Sequence, residues 1–260
     1  MRRALPPHAP GRALDIRKAH LFSPNHITTI LFDLDGTIKL HLPEGGEAVA
    51  AYAAGQGLRI APDDRLRAMR WEHYYWAGSP ELRQDEAQAG DENGFWTIYS
   101  RRQLVALGAD LARAQELAPL VQAHMHDNHR PVAHVPARLP EALQTLKAGG
   151  FKLGVLSNRT QTFMAELDEL GLSPYLDFAM AAGEVNLWKP DPGVFAHALK
   201  RVNSAPSEAV YVGDNYFADV VGARGAGLRP ILFDPHGLYP EAGCATITDF
   251  GQLIPALKNI

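Results

Sequence analysis

Short apolar runs that each end in polar residues recur along the chain from residue 27 onward. The clearest are residues 27–32 before Asp33, residues 152–156 before Ser157, and residues 210–212 before Gly213 and Asp214. A continuous apolar run of this length is typical of a strand buried on both faces. Since ligands of open α/β sheets bind beyond the carboxyl ends of the strands, the pattern predicts one site shared by these three strand ends.

Predicted helices lie between these strands. Residues 140–147 are followed by Gly149 and Gly150, a second helix has Asp191 as its N-cap and Pro192 in its first turn, and a third covers residues 217–226 before Gly227. These are ordinary helix start and stop signals. Strands that alternate with helices predict an α/β fold, a Rossmann-like core in which a doubly wound parallel sheet has right-handed crossovers.

The pattern changes over residues 40–135, where helical segments follow one another and no strand is predicted. Residues 63–76 and 95–107 are predicted to be helical, and Pro119 is expected to break a helix or to begin one over residues 120–126. We interpret this stretch as an all-helical insert that covers the edge of the sheet at Asp33 as a lid. Residues 26–39 and 136–260 then form the core, and the proline-containing residues 1–25 are a loose extension.

Composition narrows the class of protein. The 260 residues carry a net charge of -4, which favours neither nucleic acid nor an anionic membrane as a partner. Cys244 is the only cysteine, so no intramolecular disulfide is possible and a reducing cytoplasm is expected. No apolar run approaches the roughly 20 residues of a membrane-spanning helix. The prediction is a cytoplasmic protein with no membrane partner, and the oligomeric state is left open.

Two acids stand at the first strand end, Asp33 and Asp35 in the run Leu-Phe-Asp-Leu-Asp-Gly-Thr. Like charges this close repel unless a cation or a shared proton relieves them. The pair therefore predicts a metal site, acid/base chemistry, or both.

Four motifs in order now point to a family. They are Asp33-Leu34-Asp35-Gly36-Thr37, Leu156-Ser157-Asn158, Lys189-Pro190-Asp191-Pro192, and Gly213-Asp214 with Asp219 five residues after Asp214. Over residues 27–233 the chain resembles the haloacid dehalogenase-like hydrolase superfamily, and the insert takes the place of that family's helical C1 cap.

The resemblance implies a role for each motif in phosphoryl transfer. Asp33 is the expected nucleophile, which forms an aspartyl-phosphate, and Asp35 the acid that protonates the leaving alcohol and then activates water. Ser157 is expected to bind the phosphoryl group, and Lys189 to supply positive charge beside it. Asn158, which follows Ser157, either contacts the phosphate or caps the next helix.

The same resemblance implies Mg²⁺ as cofactor. The expected ligands are Asp33, the backbone carbonyl of Asp35, Asp214 and Asp219, a set of hard oxygen atoms that suits this ion. For Asp219 a second interpretation stays open, since an acid in the first turn of a helix is also favoured by the helix macrodipole.

Asp35 separates branches of the family, because dehalogenases of this fold lack an acid two residues after the nucleophile. The resemblance therefore predicts a phosphatase that acts on a small phosphorylated metabolite. A phosphomutase with the same apparatus, or a binding protein that keeps the fold without catalysis, are the alternatives.

Two further groups in the insert need interpretation. His124, His126, His129 and His134 lie within eleven residues, but no further ligand is evident, and we favour a solvated or hinge-side cluster over a metal site. The aromatic residues of 71–76 and 95–99 are expected to be mainly core of the insert. In particular, Trp71 and Tyr75 share a helical face at i and i+4.

Overall fold

The computed structural model describes residues 27–260, so the predicted N-terminal extension lies outside the described residues. The strands of a six-stranded parallel sheet are β1 (Thr29–Phe32), β4 (Lys152–Ser157), β5 (Phe178–Ala181), β6 (Ala209–Gly213), β7 (Arg229–Phe233) and β8 (Ala245–Ile247). Their order across the sheet is β5-β4-β1-β6-β7-β8. β1 pairs with β4 on one side and with β6 on the other. The three strand ends predicted to carry chemistry are therefore neighbours.

Helices cover both faces of this sheet. They are α6 (Leu139–Ala148), α7 (Met164–Glu169), α8 (Pro192–Arg201), α9 (Gly222–Gly225) and α10 (Leu253–Leu257), with a π-helical turn at Tyr216–Val221. Short 3₁₀ turns lie at Ser173–Tyr175, Ala182–Glu184, Pro206–Glu208 and Phe250–Gln252. Ile30 and Phe32 pack into the core on the α6 side, whereas Leu31 packs into the core on the α8 side. The alternation of side chains along β1 thus feeds two apolar layers, as the predicted doubly wound fold requires.

The insert consists of five helices that follow β2 (Leu40–Leu42) and precede β3 (Val132–His134). They are α1 (Gly45–Gly55), α2 (Pro62–Trp76), α3 (Pro80–Gln88), α4 (Glu92–Ala106) and α5 (Leu111–Asn128). Four of them, α1, α2, α4 and α5, enclose an apolar core of their own, to which Val49, Leu104, Leu117 and Val121 belong. α2 and α4 confirm the two helices predicted in this region.

The prediction of an all-helical insert is wrong at its two ends. β2 and β3 pair antiparallel and form a two-stranded ribbon where the chain leaves the core and returns to it. Each strand has three residues, which is too short for a period of two to stand out in the sequence. The ribbon depends on pairing between segments about 90 residues apart along the chain.

The predicted helix boundary at Pro119 is also wrong, because this residue lies inside α5. The helix begins earlier, where the side chain of its N-cap Asp110 accepts a hydrogen bond from the backbone N–H of Arg113 at 2.8 Å. Proline deprives a helix of one N–H donor. Residues packed on α4 hold α5 together across this position, since Leu117, Ala118 and Val121 are buried. Among residues 27–260 no helix is long and apolar enough to cross a membrane.

Candidate active site

The predicted site lies in a cavity of about 570 Å³ at the carboxyl ends of β1, β4 and β6. Asp33 follows β1, Ser157 ends β4, and Asp214 follows β6. The loop before α8 brings in Lys189. Parallel strands with their ends in register thus bring together groups that are far apart in the sequence.

Lys189 is the centre of the hydrogen-bond network. Its Nζ atom donates to Asp33 Oδ1 at 2.5 Å, to Asp219 Oδ1 at 2.7 Å and to the hydroxyl of Tyr211 at 2.9 Å. The Tyr211 hydroxyl donates in turn to the backbone carbonyl of Leu156 at 2.8 Å. Burial alone lowers the pKa of Lys189, but the adjacent Asp219 and Asp33 hold it well above its ordinary value. The ammonium is therefore charged and fully paired.

Three carboxylates converge around this lysine. One oxygen each of Asp33, Asp214 and Asp219 lies within 4.8 Å of the others, the only such group of metal-ligating side chains in the described part of the chain. Desolvation raises the pKa of Asp33 to about 7 against the lowering effect of Lys189. Desolvation and the nearby Asp33 raise that of Asp214 to about 7, and burial raises that of Asp219. Three acids with a single lysine leave excess negative charge, which fits a hard divalent cation such as Mg²⁺.

Asp219 meets both interpretations offered by the sequence. It lies in the π-helical turn after β6, where its Oδ2 accepts from the backbone N–H of Asn215 at 2.9 Å. Its Oδ1 meanwhile bonds Lys189 and belongs to the carboxylate cluster. A local helix-terminal role and a place in the cluster are therefore compatible.

The Asp33-to-Thr37 turn holds Asp214 in place. Thr37 is fully buried, and its hydroxyl donates to Asp214 Oδ1 at 2.8 Å and accepts from the Asp214 backbone N–H at 3.0 Å. Gly36 has φ +85°, and a Cβ there would lie 2.5 Å from Asp214 Oδ2. Both the left-handed conformation and the close carboxylate therefore require glycine at this position.

Asp35 projects into the cavity but is engaged by a cation. Arg159 donates to Asp35 Oδ2 from Nε and to Oδ1 from Nη2, both at 2.8 Å. Arg159 also bonds Glu166 at 2.6 Å, and Lys39 bridges Glu166 and Asp35. The bidentate fork occupies both carboxylate oxygens. Arg159 therefore orients Asp35 at the cavity, while each carboxylate oxygen keeps a further lone pair for another partner.

Ser157 ends β4 and Asn158 follows it. Ser157 is buried and lines the cavity. Asn158 accepts from the backbone N–H of Lys189 at 2.7 Å and donates to its carbonyl at 3.0 Å. This pair of bonds fixes the loop that carries Lys189, whereas contact of Asn158 with a substrate stays a prediction.

Helix α2 supplies one wall of the cavity, through Glu72, His73 and Trp76. His73 Nε2 lies 3.7 Å from Asp214 Oδ2, and desolvation lowers the pKa of His73 to about 4, so its ring is neutral. The Nδ2 group of Asn215 donates to the backbone carbonyl of His73 at 2.9 Å and ties the insert to the core. No sequence motif pointed to Glu72 or His73.

The aromatic residues of the insert differ in burial, which the sequence did not predict. Tyr75 is fully buried and packs on Trp71 with ring centroids 5.0 Å apart, so that predicted contact is confirmed. Trp76 and Trp96, by contrast, are each 40% exposed, and the expectation of a mainly buried aromatic set is wrong for them. Within residues 27–260 the histidine cluster forms no group of metal-ligating side chains, and His124 instead stacks on Tyr52 at 4.0 Å.

Comparison with known proteins places this geometry in a family. The model of the family described as haloacid dehalogenase-like hydrolase matches residues 27–227. The chain belongs to the haloacid dehalogenase-like hydrolases. It is 31% identical over 211 residues to a ribulose-1,5-bisphosphate 5-phosphatase of Halopiger xanaduensis, covering 80% of this chain and 85% of that protein.

Two further family members illustrate the range of similarity. A phosphoserine phosphatase of Thermus thermophilus is 32% identical over 236 residues, covering 82% of this chain and 90% of the relative. The crystal structure of a 2-haloacid dehalogenase from Pseudomonas syringae pv. tomato superposes with a TM-score of 0.51 at 28% identity, covering 90% of this chain and 99% of that one. Membership in this hydrolase family shows that the protein is an enzyme. The residues of the site indicate which reaction it catalyses.

Proposed function

We propose that this hydrolase is a Mg²⁺-dependent phosphatase that hydrolyses a small phosphorylated metabolite through an aspartyl-phosphate on Asp33. The observation that carries the proposal is the position of Asp33, held against Lys189 in the carboxylate cluster and two residues from a second acid, Asp35, in the same cavity. Relatives named as phosphatases support it. In this account the five-helix insert acts as a cap in a cytoplasmic enzyme.

The first half-reaction uses Asp33 as nucleophile. A carboxylate oxygen of Asp33 attacks phosphorus, the bond from phosphorus to the ester oxygen breaks, and the departing alcohol takes a proton from Asp35. Lys189 donates to Asp33 Oδ1 and so orients this carboxylate. Ser157 lines the cavity and is assigned to a phosphoryl oxygen, with Asn158 as an additional substrate contact.

The second half-reaction returns the enzyme to its starting state. Water attacks phosphorus of the aspartyl-phosphate, its proton passes to Asp35, and the bond between phosphorus and Asp33 breaks to release inorganic phosphate. Asp35 thus gives up one proton and regains one in each cycle. Arg159 donates to both oxygens of Asp35 and so orients this carboxylate for proton transfer.

Asp33, Asp214 and Asp219, with the backbone carbonyl of Asp35, are the residues assigned to hold Mg²⁺. When bound, the ion offsets the charge of the carboxylates and of the phosphoryl oxygens. Thr37 and Gly36 support Asp214 for this purpose by the hydroxyl contact and the close backbone approach described above.

Phosphate release from a panel of phosphate esters, with Mg²⁺ and with EDTA, tests the proposal. We expect release that requires Mg²⁺ and is abolished by Asp33→Asn. Asp168→Asn, an exposed acid on α7, is the matched control and should keep full activity. Turnover by Asp33→Asn would refute the proposed nucleophile, and transfer of the phosphate to another hydroxyl of the substrate would indicate a phosphomutase.

A further inference from the structure

A second cavity opens inside the helical insert, directly beside the catalytic one. Its volume is about 530 Å³, within the usual range of small-molecule sites, and it lies among α1, α2, α4 and α5. Glu72 and Trp76 line both cavities. The two cavities are therefore neighbours, and we call the second one the insert cavity.

Aromatic rings form much of its wall. Trp76, Trp96 and Tyr99 pack on one another, with ring centroids 6.1 Å apart for the tryptophan pair and 5.3 Å for Trp76 and Tyr99. Met125 adds apolar surface from α5. Mutual packing restrains these rings, yet Trp76 and Trp96 stay 40% exposed. Large apolar side chains that are ordered and open to a cavity are typical of a surface that a ligand covers.

The charges of the insert cavity restrict what it binds. Glu72 and Glu92 line it, together with His126 and His129, but no lysine or arginine of residues 27–260 does. Desolvation by the surrounding protein raises the pKa of Glu72 to about 7, although the cavity reaches its side chain. The catalytic cavity, by contrast, contains Arg159 and Lys189. Among the described residues, lysine and arginine thus line the catalytic cavity and not the insert cavity, so an anionic group is disfavoured in the insert cavity.

Glu72 offers a hydrogen-bond acceptor at the wall of the insert cavity. Gln103 is 1% exposed, and its Oε1 atom has no hydrogen-bond partner, while its Nε2 donates to Glu72. Tyr99 donates to the same Glu72 oxygen at 3.2 Å. The Gln103 Oε1 atom is itself buried, whereas Glu72 lines the cavity and can accept from a ligand. The cavity is therefore suited to a group that carries N–H or O–H donors.

We propose that the substrate is the phosphate monoester of a neutral alcohol that carries an aromatic or heteroaromatic ring, as in a nucleoside monophosphate. This proposal rests on the phosphatase function proposed above. The ring packs against Trp76 and Trp96, and donor groups of the leaving alcohol bind Glu72. Hydrolysis gives the free ring-bearing alcohol and inorganic phosphate.

Steady-state kinetics test the substrate class. Adenosine 5′-monophosphate and benzyl phosphate are compared with 2-phosphoglycolate and ribulose 1,5-bisphosphate, whose leaving groups are anionic. We expect kcat/KM at least about tenfold higher for one of the ring-bearing esters than for either anionic ester. Phosphate release with the opposite preference overturns this inference and leaves the phosphatase function intact.

Adding a positive charge to the insert cavity tests whether its lack of cations sets the substrate preference. Gln122→Arg places a cation in the insert cavity, whereas Gln115→Arg adds the same charge to an exposed position of α5 outside it. We expect Gln122→Arg to raise the ratio of kcat/KM for 2-phosphoglycolate over adenosine 5′-monophosphate by about tenfold, and Gln115→Arg to leave that ratio unchanged. An equal effect of both variants contradicts the inference.

Binding of free adenosine provides a readout without turnover. Since Trp76 and Trp96 line the insert cavity, adenosine should change the tryptophan fluorescence of the native protein, and Trp96→Ala should weaken this binding about tenfold or more. A native protein that hydrolyses phosphate esters but whose fluorescence does not respond to adenosine refutes the inference. Adenosine binding without any phosphate release refutes the phosphatase proposal instead.

Discussion

Replacing Lys189 by methionine removes the ammonium from the carboxylate cluster and keeps an unbranched side chain of similar length. The side chains of Lys189 and Asp219 are only 3% and 1% exposed, and that of Asp33 is 9% exposed. Removing one partner of a buried ion pair typically costs about 3–5 kcal/mol, because the other charge is left unpaired. We expect Lys189→Met to lower the free energy of unfolding of the metal-free protein by this amount at about pH 8.

The cost should depend on pH in a defined direction. Without Lys189, the cluster can relieve its repulsion by taking up protons, and the pKa of Asp33 is already about 7 in the native protein. The destabilisation should therefore be smaller at about pH 5, where the carboxylates are protonated, than at about pH 8. Urea unfolding in EDTA at both pH values measures the difference.

Two variants serve as controls for this experiment. Tyr211→Phe keeps the charge of Lys189 and removes one hydroxyl, so the expected cost is about 1–2 kcal/mol with little dependence on pH. Lys200→Met removes an exposed lysine at the end of α8 and should cost about 0.5 kcal/mol or less. A loss below about 1 kcal/mol for Lys189→Met at about pH 8, or an equal loss at both pH values, refutes the reasoning.

Three further predictions concern the same site. The pKa values of Asp33 and Asp214 are about 7 in the folded protein, above the ordinary value of 3.8. Between pH 3.8 and about pH 7 the metal-free native state therefore binds more protons than the unfolded state. Its stability should fall as the pH rises through this range. Since Mg²⁺ competes with these protons, the increase in Tm that it causes should grow from about pH 5.5 to about pH 7.5, and a constant increase argues against the carboxylates as ligands. Gly36→Ala should displace Asp214 and weaken Mg²⁺ binding about tenfold or more by calorimetric titration, while unchanged affinity contradicts the close approach. Asn158→Ala should lower stability by about 1–2 kcal/mol and also lower kcat, since both bonds to the Lys189 backbone are lost; a drop in substrate affinity alone indicates a direct substrate contact instead.

The core and its strand ends were predictable because the decisive signals are local. Residues 27–32, 152–156 and 210–212 are each largely apolar, and in the structure they pair as neighbours in one parallel sheet. The helix that begins at Asp191 was equally readable, since this side chain caps the helix by accepting from the backbone N–H of Gly193 at 2.7 Å. Local pattern and global fold agree in these segments.

Partners that are distant in sequence could not be predicted in the same way. Arg159 and Asp35 are separated by 124 residues, and Thr37 and Asp214 by 177, so only the folded sheet brings each pair together. Tyr211 was indistinguishable from its apolar neighbours in β6, although its hydroxyl bonds Lys189. Apolar periodicity predicts which residues are buried and carries no information on these polar contacts.

The insert exposes a second limit of sequence reasoning. Trp76 lies one residue after the buried Tyr75 on α2, and a count of aromatic residues gives both the same interpretation. In the structure they differ, because the hydroxyl of Tyr75 donates to the buried Asp85 whereas Trp76 lines the two cavities. The difference depends on how α2 packs against α4, and the apolar periodicity of α2 alone does not determine this packing.

Covalent trapping tests the central claim most directly. The native protein is quenched with acid during turnover of a phosphate ester in Mg²⁺, and the peptide that contains Asp33 is examined by mass spectrometry, with Asp33→Asn treated in parallel. The account predicts one added phosphoryl group on Asp33 of the native protein and none on the variant, which releases no phosphate. Sustained phosphate release by Asp33→Asn, or phosphorylation of a different residue during turnover, would contradict it.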